Sequence, residues 1–372
     1  MTLVKCQNQS LILRYLNKNG PASRKDIAKE VGLTSAAVTI ICNELIAEGI
    51  IHEVGKDDEA TGAGRRRIFL DINYDSRYIL VFNIEPDMTT VALCNMAGDV
   101  FEKVSQKTIA NCEPQAYLSG LCDIAKKIVK GMSQYITSRI VSASVGIVGP
   151  IDSSHAVSLC AYGIWDKPVN IKAIMEEKLS IPCIVENNVN AFTKATMFYG
   201  PFRKHNNLHI IKWGPGVGSA VVINGKLYEG INGRSAELGH VIVQKDGDIC
   251  SCGKRGCLET KVSITALNKI IPFDKDNFFK AYITAAESER EKIDDAIDVF
   301  ARSIVNAITL FAPSQVLLSG YLFKDKQIRE KVIEKCQKYD SQLEKYRITL
   351  NSLIEKEDYI GPVGAYLYEL LN

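Results

Sequence analysis

Three cysteines, Cys250, Cys252 and Cys257, fall within eight residues, and His240 precedes the first of them with nine residues between. One imidazole and three thiolates match the number and softness of ligands in a closed tetrahedral zinc site. In Cys252-Gly253-Lys254-Arg255-Gly256-Cys257 the two glycines let the loop turn tightly enough for the sulfurs to converge. Three incidental thiols would be exposed liabilities, so ligation is the better reading. Four protein ligands leave no coordination position for a water. The expected metal is therefore structural, about one zinc per chain, and fixes the loop that presents Glu259.

A second group of polar residues lies where a strand, Ile184-Val185-Glu186, runs into Asn187-Asn188-Val189-Asn190 at the start of a helix. Ligands of open α/β sheets bind at the carboxyl ends of strands. Carboxamides there can donate and accept hydrogen bonds, but they cannot act as general bases near neutral pH. Helix capping is the competing role for one of the two asparagines.

The elements that must carry these groups begin near residue 78. Strands are predicted at 78–82, 90–93 and 100–103, then a helix over 114–135, then strands at 140–147 and 183–186. The three-strand pattern recurs at 208–212, 219–223 and 226–228, with the Gly-rich stretch Trp213-Gly214-Pro215-Gly216-Val217-Gly218 in its first turn. A helix through Ile297, Ile304 and Ile308 and a strand at 315–318 follow. A repeated meander, each copy feeding α/β structure, predicts two similar lobes around a cleft.

The first 70 residues read differently. Leu11, Ile12, Tyr15 and Leu16 recur at helical spacing and stop at Asn19-Gly20-Pro21. Ser23 caps a second helix with Asp26 at N3, Gly32 turns the chain, and Thr34 caps a third helix that ends at Gly49. This is a helix-turn-helix, whose second helix enters the major groove by its N-terminal end. Here that end carries Ser35, Ala36 and Thr39, with Asn43 a turn further on and Arg24 on the preceding helix. Two short strands with a polar tip make a wing. Arg65, Arg66 and Arg67 stand directly behind its Gly-rich stretch, where they suit minor-groove and phosphate contact. Residues 1–72 are therefore expected to form a winged helix-turn-helix DNA-binding domain.

The whole chain has 372 residues with 45 basic and 43 acidic side chains, which excludes a globally basic nucleic-acid coat protein. Within residues 1–70 there are ten basic and eight acidic groups, so the remaining 302 are neutral. No stretch reaches the roughly 20 apolar residues of a membrane span, and the start has no signal-peptide pattern, so the expectation is a cytoplasmic protein with no membrane partner. Eleven cysteines then suggest reduced thiols and metal ligands rather than a disulfide framework.

Glu237-Leu238-Gly239-His240 followed by Cys250-Ser251-Cys252-Gly253-Lys254-Arg255-Gly256-Cys257-Leu258-Glu259 resembles the ROK family, which groups bacterial sugar kinases with sugar-responsive repressors on an actin/hexokinase-like fold. The resemblance covers essentially the whole chain and points to the repressor branch. It implies an α/β, ribonuclease H-like body whose first lobe is residues 73–190 and 361–372 and whose second, zinc-bearing lobe is residues 191–360. It also implies a sugar effector contacted by Asn187, Asn188, Glu237, His240 and Glu259, with Gly149 as a backbone neighbour. His240 would serve twice, one ring nitrogen on zinc and the other toward the sugar.

Family kinases carry Glu-Asn-Asp-x-Asn, whose Asp takes the proton of the attacking sugar hydroxyl; here that position is Asn188. Their Asp-x-Gly-Gly-Thr phosphate loop is replaced by Asn83-Ile84-Glu85-Pro86-Asp87, which loses an amide donor and gains a negative charge. Trp213 stands where kinases have a small hydroxylated residue. The expectation is a non-enzymatic, sugar-responsive repressor that needs no ATP or Mg²⁺ and binds a palindromic operator as a homodimer or tetramer. The competing readings are a sugar kinase with an added DNA-binding domain and a repressor controlled by a protein partner.

Overall fold

The computed structural model describes residues 3–56, 67–152, 155–230, 235–274, 277–344 and 347–372. Helices Leu3–Asn19, Arg24–Val31 and Ser35–Ala47 open the chain. Ser23 accepts the Asp26 amide at 3.3 Å and donates its hydroxyl to the Asp26 carboxylate at 2.6 Å, while Thr34 accepts the Ala37 amide at 3.2 Å. Each cap satisfies donors that a helix start leaves open. The chain bends by 118° between the second and third helices, the angle of a helix-turn-helix. Strand Ile68–Ile72 pairs antiparallel with Ile51–Lys56 on one side and Ala22–Ser23 on the other. Ile12, Leu16, Ile27, Val38, Leu45, Ile51 and Leu70 form the buried interior of this domain. The wing tip with Arg65 and Arg66 lies outside the described residues.

Two five-stranded sheets build the body. In the first, Val100–Lys107, Met88–Asn95, Tyr78–Ile84, Ile140–Ile147 and Cys183–Asn187 lie side by side. In the second the order is Lys226–Leu227, Val217–Ile223, Leu208–Trp213, Gln315–Ser319 and Ile348–Leu350. Both are an antiparallel meander continued by two parallel strands, so the repeated pattern in the sequence is a repeated fold. The last strand was not expected. It has three residues and is recognisable only by pairing with Gln315–Ser319. A small sheet of Ile151–Asp152, Val157–Ser158 and Val169–Asn170 was also not expected. The helix expected over 114–135 ends at Lys130, because Gly131 turns its amide back to the Ile128 and Val129 carbonyls and Gln134–Thr137 forms a separate turn.

Helices Asn188–Phe198 and Ile360–Leu371 pack together, both almost wholly buried. They approach so closely that a Cβ on Gly364 would fall 2.2 Å from the Ala195 nitrogen. Phe192, Ala195, Val363 and Leu367 share one cluster with Ile79 and Val81 of the first sheet and Leu208 and Ile210 of the second. A lobe boundary at 190/191 therefore runs through a helix that both sheets use. The first helix of the winged domain rests on the same pair: Arg14 Nε donates to the Leu371 carbonyl at 2.7 Å. Among the described residues, no single helix is long and apolar enough to cross a membrane.

His209, in strand Leu208–Trp213, is wholly buried against Phe311, and among the described residues neither ring nitrogen has a hydrogen-bond partner. Burial lowers its pKa to about 4. Because the unfolded chain takes up this proton near pH 6.5, stability falls as pH drops from there towards 4, by about 3 kcal/mol in all. His209→Leu is expected to flatten that part of the pH–stability curve measured by urea unfolding. An unchanged acid limb would mean that another group carries it.

Candidate functional site

The candidate metal residues converge. The ligand atoms of His240, Cys250, Cys252 and Cys257 all lie within 4.8 Å of one another. Cys252 Sγ is 3.7 Å from Cys257 Sγ, and Cys250 Sγ is 3.4 Å from His240 Nδ1. Zinc bonds of about 2.3 Å to sulfur and 2.0–2.1 Å to nitrogen give tetrahedral edges of about 3.5–3.8 Å, so the residues fit that ion. The loop is shaped for this: Gly256 has φ +75°, and a Cβ there would collide with the Gln244 carbonyl. Lys254 Nζ donates to the His240 carbonyl at 3.0 Å, tying the loop to the Leu238–His240 turn.

The other face of the same imidazole looks into a cleft between the lobes. His240 Nε2 lies 3.8 Å from Glu237 Oε2, and Tyr162 packs edge-on to the ring at 6.0 Å. Gly149, Asn187, Asn188, Glu237, His240 and Glu259 all line this cleft. Glu259 accepts the Val217 amide at 2.9 Å; burial pushes its carboxyl up, Val217 pulls it back, and Glu237 adds to the rise. Gly149 sits at φ +95°, against the Cys160 carbonyl, and its own carbonyl accepts from Asn187 Nδ2 at 2.9 Å.

Asn187 is the helix cap. Its Oδ1 accepts the Val189 and Asn190 amides at 2.9 and 3.1 Å, so both ends of its carboxamide are engaged. Asn188 instead donates Nδ2 to both carboxylate oxygens of Glu85, each at 2.9 Å. Lys212 Nζ donates to the same carboxylate at 2.6 Å and lies 3.0 Å from Glu357. Burial opposes the charge on Lys212, but Glu85 and Glu357 outweigh it and hold the ammonium above the ordinary lysine range. Sequence reasoning noted Glu85 but missed Lys212, whose signal was a lone cation near the end of an apolar strand. Trp213 does not face the cleft: it is fully buried among Phe300, Phe323 and Phe278, with Nε1 donating to the Val262 carbonyl at 2.6 Å.

On the winged domain, Arg24, Lys25, Thr39, Asn43 and Arg67 line one groove. Arg24 Nη2 donates to Asn43 Oδ1 at 3.1 Å and lies 3.9 Å from Glu53. Arg67 is half-exposed, 3.9 Å from Asp26. Ser35, Ala36 and Thr39 are exposed at the start of the third helix; Thr34 is spent on its cap, and the Thr39 hydroxyl donates back to the Ser35 carbonyl.

A duplicated two-lobed α/β body, a polar interlobe cleft and a winged helix-turn-helix define a ligand-binding module joined to a DNA-binding one. The ROK family model matches residues 87–366, and a winged helix-turn-helix DNA-binding model matches residues 7–52. The chain belongs to the ROK family. It is 26% identical to a xylose repressor of Caldicellulosiruptor bescii over 100% of this chain and 98% of that one. It is 24% identical to the DNA-binding transcriptional dual regulator NagC of Escherichia coli K12 over 98% and 92%. A crystal structure of a ROK transcriptional regulator, a homologue of the E. coli MLC protein, superposes with TM-score 0.83 at 21% identity, covering 99% of this chain and 97% of that one. A ROK hexokinase from Thermus thermophilus gives 0.65 at 20% identity, covering 78% and 99%. The family thus spans repressors and kinases.

Proposed function

We propose that this chain is a cytoplasmic, sugar-responsive transcriptional repressor without kinase activity, binding a palindromic operator as a homodimer. The observation that carries this is a continuous run of packed helices from cleft to winged domain. Helix Asn188–Phe198 starts at the cleft with Asn187 as its cap, packs along Ile360–Leu371, and the last residues of that helix hold Arg14 of the first winged-domain helix. A ligand that draws the lobes together moves the first helix of this run, and the winged domain with the last. For release, the sugar must bind the DNA-incompetent arrangement more tightly, since equal affinity shifts nothing.

Asn188, Glu237, Glu259 and the His240 Nε2 offer acceptors and one switchable ring nitrogen to sugar hydroxyls, and Gly149 and Asn187 shape the wall. His240 Nδ1 with Cys250, Cys252 and Cys257 would hold one structural zinc, whose chemistry here is to fix the ring and the loop that carries Glu259. Residues 1–72 are the DNA-binding unit, with lobes at 73–190 with 361–372 and at 191–360 that share helix Asn188–Phe198 across their boundary.

Operator binding measured by fluorescence anisotropy against a panel of pentoses, hexoses and N-acetylhexosamines tests the reading. One sugar is expected to weaken binding by about 5- to 150-fold, and Arg14→Ala to keep both bindings while shrinking that factor. No release by any sugar would favour control by a protein partner, and ATP-dependent turnover in a coupled assay would favour a kinase. On the DNA side, replacing Arg65, Arg66 and Arg67 by Ala should weaken binding and lower the salt slope by up to about 0.9 per lost phosphate contact. An unchanged slope would mean that these arginines do not touch the backbone.

A further inference from the structure

We propose that Glu85 is the specificity-determining residue of the cleft, admitting an uncharged polyhydroxyl ligand and rejecting its phosphate ester; this rests on the effector reading above. Glu85 follows the strand Tyr78–Ile84 and presents a carboxylate to Asn188 of the first lobe and Lys212 of the second. Lys212 is shared with Glu357, whose other oxygen accepts the Gly320 amide at 2.9 Å. One cation therefore sits between two anions. The other carboxylates on the cleft wall, Glu237 and Glu259, add negative charge, and among the described lining residues Lys212 is the one lysine or arginine.

The backbone offers an anion little more. The Val189 and Asn190 amides at the helix start are taken by Asn187, and the Val217 amide by Glu259. The Gly214 amide bonds to the Gly216 carbonyl, and Pro86 and Pro215 have no N–H. Phosphate binding needs cations or aligned amide donors, and on this wall those four amides are spent and the cation is shared between two carboxylates. Hydroxyl groups have the opposite requirement, because they can donate to carboxylate and carbonyl oxygens, each of which accepts more than one hydrogen bond.

Glu85 also sets the orientation of Asn188. With Nδ2 donating to both Glu85 oxygens, the carbonyl oxygen of Asn188 is the end left for a ligand, so this position accepts from a hydroxyl. Neutralising Glu85 removes the repulsion and frees the carboxamide to turn its donor end inward.

Isothermal titration of the full-length, zinc-loaded protein with xylose, glucose and N-acetylglucosamine, each beside its terminal phosphate ester, tests the assignment. The neutral sugar that binds is expected to outbind its ester by on the order of 100-fold, and Glu85→Gln to cut that ratio by about tenfold or more while Glu85→Asp retains it. An ester that binds the wild-type chain as tightly as its parent overturns the assignment, as does a ratio that Glu85→Gln leaves unchanged. If neither sugars nor esters bind, the effector reading fails, and inorganic tripolyphosphate decides the charge rule separately. Uptake by Glu85→Gln but not by the wild type supports it. Uptake by both, or by neither, overturns it.

Discussion

Cys252→Ser is expected to strip the metal from the protein and, with it, the response to sugar. A serine hydroxyl is a far poorer zinc ligand than a thiolate, and three remaining ligands lower metal affinity by more than the 10–100-fold seen on losing an outer partner. The loss extends to the cleft because His240 belongs to both sites. Its Nδ1 lies beside Cys250 and its Nε2 beside Glu237, so releasing one nitrogen frees the ring to rotate away from the other contact. Glu259 follows Cys257 by two residues, and its bond to the Val217 amide depends on the same loop. The winged domain has its own interior, from Ile12 to Leu70, and should still hold the operator. The variant is thus a repressor that binds and is not released. Metal analysis by mass spectrometry should fall from about one zinc per chain towards none. Full metal content would show that Cys252 is not a ligand, and sugar release without metal would separate the two sites.

The parts of this molecule that could be read from sequence are those in which one residue answers another nearby. Ser23 with Asp26, Thr34 with Ala37, and the cysteine loop are set by short spacings, and the repeated meander by hydrophobic period. The Glu85–Lys212 contact joins residues 127 apart in the chain, and no local pattern ties them. Trp213 belonged to a legible class: strand residues alternate faces, so with Lys212 in the cleft, Trp213 must face the core. Its place beside the Gly-rich loop does not tell which face it takes; strand parity does. Ile348–Leu350 is too short to show a period, and its place follows only from the duplication of the sheet.

Asn188→Asp, which restores the carboxylate of the family's kinases, is expected to destabilise the protein and to yield no phosphoryl transfer. Asn188 holds Glu85 by donating two hydrogen bonds at 2.9 Å, and an aspartate in its place sets two carboxylates that close together. Lys212 already serves Glu85 and Glu357 and has little to give a third. Losing donors to a charged, half-buried acceptor costs about 1.5–3 kcal/mol. The new pair also shares a proton, because like charges at this separation raise the pKa of one member. Folded-state affinity for that proton then exceeds that of the unfolded chain, so the variant regains stability as pH falls and loses it as pH rises through the raised pKa. Its melting temperature should therefore lie further below the wild type at pH 8 than at pH 5.5. A carboxyl occupied in this way is no free general base, and Pro86 still denies the first loop an amide for phosphate. Sugar-dependent ATP turnover by Asn188→Asp alone would mean that Glu85 swings aside when the lobes close, leaving this repressor one substitution from a kinase.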